Sequence, residues 1–218
     1  MARLTTSSSC SSVRSIDTPA GEARVEIRSA TSPRLTLVLG HGAGGGIGAR
    51  DLEALAEALP ARGITVVRVE QPWHVAGRRV AAPPPTLDVA WSAVLAELDI
   101  AGRLVVGGRS AGARVACRTA AAVGAVGALA LAFPLHPPGR PETSRLPELI
   151  GAGVPTLVVQ GERDAFGGPV AFPSDGAFAL RRVPFADHSM RVPATAPLTQ
   201  REALALVVDL VERWLREL

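Results

Sequence analysis

The 218-residue chain contains no lysine and no tyrosine, and only two cysteines. Without lysine there is no Schiff-base amine, no Gly-Lys-Ser/Thr phosphate loop and no Ser-Lys dyad, so several enzyme classes fall away together. All 23 basic residues are therefore arginines; set against 20 acids they leave a formal charge of +3, and they are scattered rather than gathered in a run. That distribution describes a solvated mixed-charge surface and argues against a nucleic-acid partner. Cys10 and Cys117 offer neither a disulfide framework nor metal-ligand spacing, so no metal is expected and a reducing cytoplasm fits. No stretch approaches the ~18 uninterrupted apolar residues of a membrane span. The N-terminal MARLTTSSSCSSVRS also lacks an apolar export core, so neither membrane association nor secretion is expected.

What is present is a globular balance, 47% apolar and 20% charged, long enough for one core. Residues 1–15 read as a flexible Ser-rich tail and 16–218 as a single domain. From residue 22 onward, short β-rich runs alternate with amphipathic helices, the pattern of an α/β fold with a mostly parallel central sheet and helices on both faces. EARVEIRS (22–29) alternates like a half-exposed strand, whereas LTLVLG (35–40) is continuously apolar, as a strand covered on both faces is, and ITVVRVE (64–70) and TLVVQG (156–161) read as further buried strands. RLVVGG (103–108), GALALAFP (127–134) and FALRRVPF (178–185) supply three further strands. Helices follow at 51–63, after the proline run 83–85 with Thr86 as N-cap, after Ser110, and at the C-terminus with Leu204, Val207, Val208, Val211, Leu215 and Leu218 inward.

Two glycine-rich turns allow competing readings. GHGAGGG (40–46) places Gly40, Gly42 and Gly45 between a strand and a helix, and Glu70 ends the next strand, which is a weak dinucleotide fingerprint. GRSAG (108–112) fits Gly-x-Ser-x-Gly in a strand-turn-helix context, where only small residues fit two positions either side of the serine. Ser110 is then a nucleophile on a sharp turn at a helix N-terminus, or simply a helix cap.

Chain order favours the nucleophile. A serine needs a base to take its proton and an acid to orient that base, and in hydrolases of this topology they follow as Ser, acid, His. Asp164 lies just beyond one later strand and His188 just beyond the next, on the edge where Ser110 is expected. Glu162 and Asp187 are the rival acids: Glu162 sits closer to its strand end, and Asp187 adjoins His188 too closely to bond its ring. The oxyanion donors are then the backbone N–H groups of Ala111 and of Ala43, with Gly44 the next candidate, while His41 holds the glycine loop.

The segments GHGAGGG, GGRSAGAR, FPLHPPG, GERD and DHSM together resemble a small, lidless branch of the α/β-hydrolase superfamily, over roughly residues 22–218. That branch includes bacterial hydrolase-like proteins, a testis-expressed animal protein and a histone acetyltransferase complex subunit. The resemblance implies an α/β-hydrolase fold without a lid domain, with Ser110, Asp164 and His188 at the triad positions. It is similar to dienelactone-hydrolase-like and esterase-like enzymes without implying one substrate.

Only LHPPGRPETS (135–144) lies where a lid would be inserted, which predicts an open, shallow site. His136 in that loop is either a substrate donor or a turn-stabilising residue, and Trp73 is either a pocket wall or core packing. Arg109, with Arg78 and Arg79, either selects an anionic substrate or pairs with surface acids. The expected activity is cleavage of small carboxylic esters or thioesters, with a small-molecule ester as partner, no cofactor, and a monomer or homodimer. A catalytically silent binding or scaffold protein of the same fold is the alternative, and a dinucleotide-dependent oxidoreductase the third.

Overall fold

The continuous apolar runs become the interior of one eight-stranded sheet in the computed structural model, which describes residues 11–174 and 176–218. Strands β1 (Ser11–Thr18) and β2 (Gly21–Arg28) form an antiparallel hairpin at one edge. The others are β3 (Leu35–Gly40), β4 (Ile64–Glu70), β5 (Arg103–Arg109), β6 (Gly127–Leu131), β7 (Thr156–Gly161) and β8 (Ala179–Val183). The order is β1-β2-β4-β3-β5-β6-β7-β8, with β3 to β8 parallel and β2 antiparallel to β4. The carboxyl ends of the parallel strands therefore share one edge.

Side-chain alternation along each strand divides the core in two. Leu37 and Leu39 of β3 pack beneath helices α1 (Arg50–Ala58) and α6 (Gln200–Glu217), while Val38 between them faces the opposite layer. That layer holds α2 (Pro72–Val75), α3 (Pro84–Glu97), α4 (Ala111–Thr119) and α5 (Leu146–Ile150), with Trp91 and Val115 buried against Val67 and Val106. Helix α6 starts with a capping box in which the Glu202 N–H donates to Thr199 Oγ1 (3.3 Å) and the Thr199 N–H donates to Glu202 Oε2 (2.8 Å). Its inward residues are Val207, Val208, Val211 and Leu215 as expected; Leu204 and Leu218 are only partly buried, and Ala203 and Trp214 join the core instead.

Two boundaries differ from expectation. The tail assigned to residues 1–15 is too long: Ser11–Ser15 belong to β1, whose alternation is masked by polar residues because an edge strand with exposed faces carries little hydrophobic signal, and residues 1–10 lie outside the described residues. Thr86 is not the N-cap of α3; Pro83 is, and Pro84 and Pro85 form the first turn, where a missing N–H costs nothing.

An ionic network that periodicity hinted at through Arg114 and Arg118 ties three helices of one layer together. Arg114 donates to both Glu148 carboxylate oxygens (2.8 and 2.6 Å), and Arg118 bridges Glu148 (2.7 Å) and Asp88 (2.8 and 2.6 Å). Burial pushes the Glu148 carboxyl up, but hydrogen bonds and charge from the two arginines outweigh it and hold the group below its ordinary range. The network clamps α4, the helix that follows Ser110, onto α3 and α5.

Between β6 and α5, residues 132–145 form an irregular loop with no helix, so no lid domain covers the carboxyl edge. Among the described residues, no helix is long and apolar enough to cross a membrane.

Candidate active site

The tight crossing of β5 into α4 forces Ser110 into an unusual backbone conformation, φ 52° and ψ −114°. The strain is set by its neighbours. A Cβ on Gly108 would lie 2.5 Å from the Gly40 carbonyl oxygen, and one on Gly112 would lie 2.4 Å from both Gly40 C and O. Helix α4 thus presses against the end of β3 with no room for side chains at either glycine. Ser110 offers no side-chain cap to α4, so the capping role is not the one it takes. The first intrahelical bond is from the Arg114 N–H to Ser110 O (3.2 Å), so the Ala111 amide precedes it at the helix N-terminus.

Strain elsewhere gathers on the same edge. Of the described non-glycine residues with positive φ, Ser110, Ala132 and Phe185 lie just beyond the carboxyl ends of β5, β6 and β8, and Met190 lies in the loop that follows β8, two residues after His188.

The three residues expected to act together are brought together. Ser110 Oγ lies 3.0 Å from His188 Nε2, and His188 Nδ1 lies 3.0 and 2.9 Å from the two carboxylate oxygens of Asp164. A carboxylate can only accept, so Nδ1 carries the proton and Nε2 accepts from the serine hydroxyl. Asp164 has a fully buried side chain, and two further donors converge on it: Gln160 Nε2 on one oxygen (2.9 Å) and the Phe166 N–H on the other (2.8 Å). The Phe166 ring lies against the imidazole, centroids 4.2 Å apart and 33° between planes.

The rival acids serve other groups. Glu162 accepts from the Phe185 N–H (2.9 Å) and Arg182 (3.4 Å). Asp187 Oδ1 accepts from the N–H groups of Ser189 (2.8 Å) and Arg191 (2.9 Å), building the turn that presents His188.

Arg109 departs from both readings made for it. Rather than facing a substrate or a surface acid, its Nε donates to Asp51 (3.1 Å), whose side chain is fully buried, and its Nη2 donates to the backbone carbonyl of His188. A Cβ on Gly42 would lie 3.4 Å from Arg109 Nη1 and 3.2 Å from Ser110 Cβ. One guanidinium therefore touches the glycine loop after β3, the start of α1 and the loop carrying His188.

The other candidates are placed as follows. Ala43 and Gly44 form an exposed turn directly after Gly42. His41 is buried and holds this loop: Nδ1 donates to Gly42 O (2.9 Å) and Nε2 accepts from the Gln71 N–H (3.1 Å). Trp73 is buried in the short helix α2. His136 Nδ1 donates to Pro137 O (2.9 Å), and its backbone N–H reaches Phe166 O (3.0 Å), the turn-stabilising geometry of its two readings. Arg78 lines a surface cleft beside Trp73.

The dinucleotide fingerprint does not form the structure it needs. Helix α1 begins at Arg50, five residues past Gly45, and Glu70 is engaged by His74 Nδ1 (2.6 Å) and Arg24 (3.4 Å). The glycine turn and the helix N-terminus that would jointly hold a pyrophosphate are separated.

Gln160, Phe166 and Asp51 were not singled out beforehand. Gln160 left a trace, as an amide near the end of the largely apolar run TLVVQG; Phe166 and Asp51 left none, because only their partners reveal them.

An open parallel sheet covered on both faces, with a serine on a strained strand-helix turn and no lid, is the α/β-hydrolase fold. Residues 33–216 match the family model described as an alpha/beta hydrolase domain, and the chain belongs to that family. A lidless α/β serine hydrolase from Xanthomonas campestris is similar in structure, with TM-score 0.71, 23% identity and 94% of each chain covered. The dienelactone hydrolase of Anabaena variabilis superposes with TM-score 0.72 at 17% identity over 97% of this chain and 99% of that one. Est1E from Butyrivibrio proteoclasticus gives TM-score 0.72 at 15% identity, covering 94% and 99%. No curated protein matches the chain significantly.

Proposed function

We propose that the protein is a serine hydrolase of small carboxylic esters or thioesters. The observation that carries this reading is the hydrogen-bonded line from Ser110 Oγ through His188 to the buried Asp164, assembled at the carboxyl edge of the sheet. Ser110 attacks the carbonyl carbon as His188 Nε2 takes its proton, and Asp164 stabilises the imidazolium through Nδ1–H. The tetrahedral oxyanion is held by the Ala111 amide and by Ala43 from the glycine loop, with Gly44 the neighbouring donor. His188 then protonates the leaving group, and a water activated by the same imidazole cleaves the acyl-enzyme, with no cofactor in any step.

The decisive experiment is labelling of the purified protein with a fluorophosphonate, which phosphonylates activated serines. Labelling is expected for the parent and lost in both Ser110→Ala and His188→Ala. A folded parent that takes no label, or a label that survives Ser110→Ala, removes the basis of the reading.

Arg109 acts here through His188, as a positioning residue. Its removal alone would leave Asp51 buried and unpaired, so the informative protein is the double variant Arg109→Met, Asp51→Asn. It is expected to melt near the parent yet show a kcat lowered about a hundredfold with KM nearly unchanged, because a base displaced by ~1 Å loses that much. Steady-state kinetics beside a thermal melt separate the two; parental kcat in the double variant would show the clasp to be purely structural.

A further inference from the structure

The loop that carries the proposed oxyanion donor Ala43 has little of its own to hold it. Gly42, Gly44, Gly45, Gly46 and Gly48 crowd into it, and a Cβ on Gly44 or Gly45 would meet nothing within 4 Å. Glycine backbones have the widest conformational freedom, whereas an oxyanion donor helps only if it is already aimed when charge develops. The loop must therefore be held from outside. At its start Gly42 O accepts from His41, and near its far end Ile47 O accepts from Arg68 Nη1 (2.8 Å), a guanidinium itself fixed by Glu26 Oε2 (2.6 Å).

Between those two points stands His74. A Cβ on Gly46 would lie 2.8 Å from His74 Cε1 and 3.4 Å from its Nε2, so the imidazole occupies the place that a side chain at position 46 would take. The ring is not free to swing away. Its Nδ1 donates to Glu70 Oε1 (2.6 Å) at the end of β4, and it packs against His41 (ring centroids 5.0 Å apart) and Trp73 (5.3 Å). Glu70 is held in turn by Arg24 (3.4 Å) from β2. The hydrolytic steps use His188 as the base and leave this second histidine–carboxylate pair unassigned.

We propose that His74, oriented by Glu70, is a positioning residue for the oxyanion site: its ring is the wall against which the glycine loop rests at Gly46, and through that contact it fixes where the Ala43 amide points. The inference rests on the serine hydrolase reading and deepens it. Glycine at 46 is then required by the ring beside it, whereas Gly45 faces open space.

The test is saturation labelling with a fluorophosphonate, whose phosphoryl oxygen takes up negative charge at the same donors. His74→Ala and Gly46→Ala are each expected to lower the limiting labelling rate about tenfold with the half-saturating concentration nearly unchanged, a part of the ~10²–10³ that loss of a whole oxyanion donor costs. The two losses should not multiply. Once the imidazole is gone a methyl at 46 has room, so the double variant should label no more slowly than His74→Ala alone. Gly45→Ala should label like the parent, and end-point labelling counts the folded sites in every preparation, so that lost protein is not mistaken for slower chemistry. A parental rate in either single variant, or losses that multiply in the double variant, would overturn the proposal. If His74→Ala does not fold, Gly46→Ala is compared with Gly45→Ala, and equal rates in those two overturn it. A parent that takes no label overturns the hydrolase reading instead.

Discussion

Asp164→Asn is expected to lower kcat by about three to four orders of magnitude while the protein still folds, the scale seen when a triad carboxylate is replaced by its amide. The reason is visible in the donors that surround the carboxylate. His188 Nδ1, Gln160 Nε2 and the Phe166 N–H all point at its two oxygens. An asparagine must turn its NH₂ toward one of the outer donors, and whichever it faces loses its acceptor. If the amide nitrogen also faces His188, the ring must take the tautomer protonated at Nε2, and that nitrogen no longer accepts from Ser110. Ground-state binding involves none of these atoms, so KM stays near the parental value. Kinetics beside near-ultraviolet circular dichroism check the expectation; activity within tenfold of the parent would mean that Asp164 does not orient the base.

The second large effect concerns folding. Gly112→Ala adds a Cβ 2.4 Å from the Gly40 carbonyl group and 2.9 Å from the His41 oxygen. These are backbone atoms at the end of β3, where Gly40 is in register with Gly108 of β5. They cannot yield without breaking the central ladder, so the cost exceeds about 4 kcal/mol, beyond the ordinary range for point substitutions. The variant should be insoluble or unfold far below the parent in a thermal scan. Gly44→Ala is the matched control, because a Cβ there meets nothing within 4 Å and the melt should hardly move. Similar melting of both variants would show that β5 and α4 do not cross as closely as the structure has them.

These two predictions come from different depths of information. Interior strands such as LTLVLG, ITVVRVE and TLVVQG announce themselves because a strand buried on both faces is dominated by apolar and β-branched residues, and their bounds are recovered to the residue. Strand β1 escapes that logic, since an edge strand is held by backbone pairing to β2 and its side chains remain largely exposed. The glycines at 108 and 112 were also legible, because steric exclusion at a sharp turn leaves a pattern in residue size.

What sequence alone determined was the fold class, the parallel sheet and the serine, acid and histidine in chain order at three strand ends. Those features depend on local periodicity, on turn sterics and on order along the chain. Only the tertiary structure showed which of Asp164, Glu162 and Asp187 lies against the His188 ring, because that depends on which donors converge on each carboxylate. It also turned Arg109 from a candidate substrate contact into a clasp between the buried Asp51 and the histidine loop. Partners 58 or 79 residues apart, as Asp51 and His188 are from Arg109, meet through packing across layers, and no pattern along the chain encodes that distance.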